Sequence, residues 1–111
     1  MSTYAVFVNG LFKRRNSTGQ DLEHAALGIA GEAGELIDAI KKHAIYGKPL
    51  DRVNIVEELG DLRFYMQALM NTLGISEEEI IRENMRKLSA RYPRGIYSDE
   101  QAIARADKQG E

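Results

Sequence analysis

The sequence predicts an all-α fold, a small bundle of about four to five helices. Two observations carry this. Apolar residues recur at alternating steps of three and four along two long stretches, the spacing of an amphipathic helix. Between those stretches the chain is broken only by short clusters of turn and cap residues, with no internal repeat, low-complexity tract or linker to divide it. At 111 residues it is expected to form a single domain over 1–111, with its core in about 20–93 and a polar tail over 98–111. A chain of this size buries a modest core and gains from oligomerisation.

Each element has its own local signal. Residues from about Thr3 to Phe12 are apolar and short, and suit either a helix or an extended arm. Ser17-Thr18-Gly19-Gln20-Asp21 is turn-like, with hydroxyls suited to capping the helix that follows. From Asp21 to about Ile45 the apolar positions are Leu22, Ala26, Ile29, Ala33, Leu36 (with Ile37) and Ile40, a coiled-coil-like seam. Gly47 stops this helix, and Pro49 and Asp51 set up the next. That one runs to Leu73 with a seam at Ile55, Leu59, Leu62, Met66, Leu69 and Leu73, and Gly74 ends it. Ser76 followed three residues later by Glu79 resembles a capping box, opening a helix that carries Ile80, Ile81, Met85 and Leu88 and stops before Pro93. One more short helix is expected through Ala102, Ile103 and Ala106.

Composition excludes several classes of chemistry. The chain has no cysteine, so disulfides, thiolate metal sites and cysteine nucleophiles are ruled out, and a reducing cytoplasm is the expected setting. A formal net charge of -2 makes no electrostatic case for nucleic acid. No run approaches the roughly 18 apolar residues that span a bilayer, and the N-terminus lacks the charged-then-apolar order of a signal peptide.

The strongest chemical signal is acidic. Glu32-Ala33-Gly34-Glu35 and Glu58-Leu59-Gly60-Asp61 each place two carboxylates three residues apart, on one face of a helix. If the two helices pair antiparallel about the turn at Tyr46–Asp51, all four acids come together. Converging carboxylates repel and resist desolvation unless a cation sits among them. Oxygen donors suit Mg²⁺ or Mn²⁺ rather than zinc. Both pairs lie beside an apolar seam, and both contain glycine, where a solvated face would favour good helix formers. Gly28, Gly31 and Gly34 lie inside the same helix, and Glu35 shares its face with Gly28 and Gly31, a small stripe leaving room for close approach to the backbone; close helix packing with no ligand is the alternative.

A second polar stripe follows. Asn84, Lys87 and Arg91 recur at steps of three and four, and two cations with an amide suit the non-bridging oxygens of a polyphosphate. The alternative is a solvated helix end, where the dipole favours cations. Tyr65, one turn past Asp61, suits covering a ligand or a place in the core with its hydroxyl at the edge. His24 and His43 lack a partner at ligand spacing and read as structural or surface positions.

These motifs carry a family resemblance. Gly31-Glu32-Ala33-Gly34-Glu35-Leu36, Glu57-Glu58-Leu59-Gly60-Asp61 and Asn84 to Pro93, in this order, resemble the MazG-like branch of the all-α nucleoside triphosphate pyrophosphohydrolases. The resemblance covers roughly Leu22 to Pro93. It implies Mg²⁺-dependent hydrolysis of a (deoxy)nucleoside triphosphate to monophosphate and pyrophosphate. It also implies that Glu32, Glu35, Glu58 and Asp61 hold the metal, that Asn84, Lys87 and Arg91 bind the nucleotide, and that Tyr65 contacts substrate. Assembly as a homodimer or homotetramer is implied as well. One departure is visible: several relatives open the first motif with a doubled acid, where this chain has Gly31. The doubled acid is typical of the phosphoribosyl-ATP pyrophosphohydrolase relative, which therefore ranks second among enzyme readings. Glu35 is the candidate general base for direct attack by water, since no residue arrangement offers a covalent nucleophile. The rival class is a non-catalytic helical oligomerisation or regulatory module whose acids only solubilise it.

Overall fold

A computed structural model of the chain describes residues 1–108. The end of the polar tail, 109–111, lies outside the described residues. Five α-helices and one short 3₁₀ turn are present, and no strand occurs among the described residues. They form two compact units, Met1–Gly74 and a second that begins at Ile75.

The first unit holds α1 (Thr3–Leu11), α2 (Thr18–Ala44) and α3 (Arg52–Leu73). The N-terminal segment is a helix rather than an arm, capped by Ser2, whose hydroxyl accepts the Ala5 N–H at 3.1 Å. α2 starts at Thr18, earlier than its apolar pattern suggests, because the Ser17 hydroxyl takes the Gln20 N–H at 3.2 Å. The Asp51 carboxylate caps α3 through the Asn54 N–H at 3.0 Å. Such caps each contribute about 1 kcal/mol by satisfying an otherwise orphan donor. Gly74 closes α3 in the left-handed region, at φ 67°, a conformation that glycine adopts without strain.

α2 and α3 run antiparallel: Ala25 meets the level of Ala68, and Gly28 that of Tyr65. The core comprises Val8 and Phe12 from α1 and its end, Ala25 from α2 and Ala68 from α3, with Phe64, Tyr65 and Leu69 packed against it. Asn71 ties α1 to α3, its amide donating to the Ala5 carbonyl at 2.9 Å while its carbonyl oxygen accepts from Gln67 at 2.8 Å. Asp21 is buried at the start of α2, where it accepts the Arg15 N–H at 2.6 Å and pairs with Arg14 at 3.6 Å.

The expected seam of α3 is only partly the buried one. Leu59, Met66 and Leu73 remain 48%, 40% and 51% exposed, while Gln67, Ala68 and Met70 are buried. The helix is turned toward α1 and the small side chains of α2, so its buried stripe follows Phe64, Tyr65 and Ala68. On α2 likewise, Ala25 is fully buried whereas Ile37 is exposed.

The second unit holds α4 (Glu77–Arg91), α5 (Asp99–Ala104) and the 3₁₀ turn Ala106–Lys108. Ser76 caps α4 through the Glu79 N–H, and Ser98 caps α5 through the Gln101 N–H, both at 3.1 Å. The short helix expected through Ala106 stops at Ala104, because Arg105 takes a left-handed conformation (φ 48°, ψ 56°) and turns the chain into the 3₁₀ segment. Among the described residues no helix is long and apolar enough to cross a membrane.

Candidate functional site

The antiparallel pairing of α2 and α3 brings three of the four expected acids together. Glu32 from α2 and Glu58 with Asp61 from α3 each offer a carboxylate oxygen within 4.8 Å of the others. Glu58 and Asp61 share a face because they are three residues apart, about 300° around the helix. Glu32 and Glu58 are half-buried and Asp61 is exposed, so the cluster opens to solvent on one side. The Glu32 carboxyl is pushed above its ordinary value, first by burial and then by the charges of Asp61, Glu58 and Glu35. A hydrogen bond between Glu32 and Glu58 adds to the shift, since two carboxyls can share one only while one of them keeps a proton.

Glu35 stands apart from this trio. It is exposed, one turn beyond Glu32, and close enough for its charge to be felt there. Tyr65, one turn along α3 from Asp61, packs against α2. A Cβ on Gly28 would collide with three carbons of its ring. The Tyr65 ring also meets Phe64 edge-on at 5.2 Å and His24 at 6.0 Å. Of Gly28, Gly31 and Gly34, then, the first receives a ring from within the chain, while the other two face open space.

His24 stacks on Phe12 at 4.6 Å, and its Nδ1–H donates to the Lys13 carbonyl at 3.0 Å, so the ring is held in one orientation. A recess of about 200 Å³ beside it is lined by Arg15, Gln20, Glu23, His24 and Leu27. Sequence pattern alone did not single out this group, in which Arg15 of the α1–α2 turn joins four residues of α2. His43 donates from Nδ1 to the Lys48 carbonyl at 2.7 Å and braces the turn after α2.

In the second unit Asn84, Lys87 and Arg91 lie along α4. Asn84 is exposed and Lys87 half-buried. Arg91 grips Asp107 with two parallel bonds, Nε to Oδ1 at 2.8 Å and Nη2 to Oδ2 at 3.1 Å. The Asp107 side chain is completely covered, and that of Arg91 is 18% exposed. The hydrogen bond from Arg91 holds the Asp107 carboxyl below its ordinary value, helped by the charges of Arg91 and Lys87. Nothing in the polar composition of the tail pointed to Asp107.

The site is thus an acidic cluster between two antiparallel helices of an all-helical protein, a group of carboxylates that could hold a metal ion. The chain belongs to the family of MazG nucleotide pyrophosphohydrolase domains, with a match that spans residues 20–96. It is similar to the gene 37 protein of Mycobacterium phage L5, with 29% identity over 82 residues that cover 69% of this chain and 71% of that protein. No solved structure matches it.

Proposed function

We infer that this chain is a divalent-metal-dependent hydrolase that splits a (deoxy)nucleoside triphosphate into monophosphate and pyrophosphate. The observation that carries this reading is the convergence of Glu32, Glu58 and Asp61 in a nucleotide pyrophosphohydrolase family member. The donor set fits the ion: three carboxylates that repel each other, with no nitrogen or sulfur among them, suit Mg²⁺, with Mn²⁺ as a substitute. When bound, the metal supplies charge neutralisation for the triphosphate and acidifies a water.

The chain's own groups divide the remaining work. Glu32, Glu58 and Asp61 hold the ion. Glu35, exposed and beside that trio, either adds a further ligand or takes the proton of the attacking water as general base. Asn84, Lys87 and Arg91 donate hydrogen bonds to phosphate oxygens, a role supported by their place within the matched residues. Tyr65 borders the trio, and its contact with Gly28 favours a positioning role for its ring, with the substrate at its edge. A nucleotide pool in the cytoplasm is the setting this reading implies.

Apolar side chains left open on both long helices, among them Leu27, Ile37, Val56 and Leu59, support assembly with further copies of the same chain as a dimer or tetramer. The test of function is a panel of nucleoside triphosphates assayed for pyrophosphate release with and without Mg²⁺. Metal-dependent release from at least one of them is expected. No release from any, with metal present, would overturn the reading.

A further inference from the structure

Beside a ring contact of Tyr92 with Tyr97 at 5.5 Å, the described part of the C-terminal segment is held to α4 by charge. No residue of α4 or of the 3₁₀ turn is buried, and Ile103, the large apolar side chain of α5, is 82% exposed. Yet the Asp107 carboxylate is completely covered, gripped in parallel by the Arg91 guanidinium, with Lys87 one helical turn away adding its field. A planar carboxylate met by two guanidinium N–H groups is the geometry in which arginine also meets a phosphate. The chain reaches it by way of Arg105, a non-glycine residue held in the left-handed region that side chains disfavour. A segment that serves only as structural packing would lay apolar surface on the helix. This one instead places a single anion on the Arg91 guanidinium, within the field of Lys87.

We propose that Arg91 and Lys87 form an oxyanion seat and that Asp107 is an intramolecular competitor for it, an autoinhibitory latch that a phosphate group must displace. This rests on the reading that these cations take phosphate from the substrate. A latch of this kind weakens apparent anion affinity by the fraction of molecules in which the seat is open, so removing it tightens binding without any new contact.

The experiment titrates inorganic pyrophosphate into the full chain in metal-free buffer, followed by calorimetry and by the NMR resonance of the Arg91 Nε–H. Asp107→Asn removes the competing charge. Arg105→Pro keeps the carboxylate but cannot adopt φ 48°, so it misdirects the turn that delivers it. Both variants should bind pyrophosphate at least about threefold more tightly than the natural chain, and in the natural chain pyrophosphate should shift the Arg91 resonance. Unchanged or weaker binding in the variants, or no shift of Arg91 at any pyrophosphate concentration, overturns the latch. The two readings separate in nucleotide kinetics. If Arg91→Ala raises KM for the triphosphate but Asp107→Asn leaves pyrophosphate binding unchanged, the seat stands and the latch falls. If Asp107→Asn tightens pyrophosphate binding while Arg91→Ala leaves KM unchanged, the latch stands and the substrate role of the seat falls.

Discussion

The ring of Tyr65 lies on the backbone of Gly28, closer than any side chain at that position would allow. This contact fixes how near α3 comes to α2 one turn away from Glu32 and Asp61. A helix interior normally disfavours glycine, yet here the missing Cβ brings an aromatic ring in and sets the level at which the acids face each other.

Gly28→Ala therefore sets two effects against each other. Alanine gains up to about 1 kcal/mol of helix propensity. Forcing a Cβ into the Tyr65 ring costs typically about 1–3 kcal/mol. Overpacking wins, and chemical denaturation should show a less stable protein. At Gly31 and Gly34, where a Cβ meets nothing, alanine should raise stability by up to about 1 kcal/mol. A loss at Gly31 comparable to that at Gly28 would contradict this account.

Ionisation of Glu32 should cost the metal-free protein stability, relative to Glu32→Gln, as pH rises through the acid range. Glu32 has a folded-state value raised above its ordinary 4.5 by burial and by its acidic neighbours. Its favourable contribution is complete below that ordinary value and is lost as pH climbs through the raised one. Thermal melting of the natural chain should therefore fall relative to Glu32→Gln across that window. Millimolar Mg²⁺ or Mn²⁺ should raise the melting temperature of the natural chain and have little effect on Asp61→Asn. Identical melting with and without metal would favour a non-catalytic module.

Pyrophosphate release is expected to vanish in both Glu35→Ala and Asp61→Ala, with helical content by circular dichroism intact. Loss of a general base alone typically lowers rate about 10²–10⁴-fold. Full activity in either variant would remove that residue from the machinery, and with Asp61 the whole metal assignment.

Leu59 and Met66 lie seven residues apart on α3, and both are substantially exposed. Replacing both by glutamate should shift sedimentation from oligomer to monomer, because charge on a buried interface costs more than it does in water. A natural chain that sediments as a monomer at every concentration would discard this face as an interface.

Much of the architecture was readable because it rests on local chemistry. Ser17 and Ser76 cap their helices with hydroxyls, Asp51 does so with its carboxylate, and Gly74 ends α3 where a left-handed residue was needed. The trio Glu32, Glu58 and Asp61 was legible from two helical spacings and one turn. Other features depend on tertiary context. Which stripe of α3 is buried follows from α1 and from Gly28, not from the spacing of leucines. That Glu32 and not Glu35 meets Glu58 and Asp61 depends on how α2 packs on α3, which spacing along one helix does not encode. The Arg91–Asp107 pair joins residues 16 apart across a second helix and a left-handed residue, and no periodicity encodes it.

The position of α1 bears on how this protein can be handled. Val8 and Phe12, the largest side chains of the central cluster, come from the first twelve residues, ahead of the stretch that matches the family. A chain trimmed to 20–96 would keep every acid of the trio and yet leave Ala25 and Ala68 facing water. Bulky additions close to Ser2 would crowd the helix cap that sets α1 in place. The span that matches the family is therefore a poor guide to where this molecule can safely be cut.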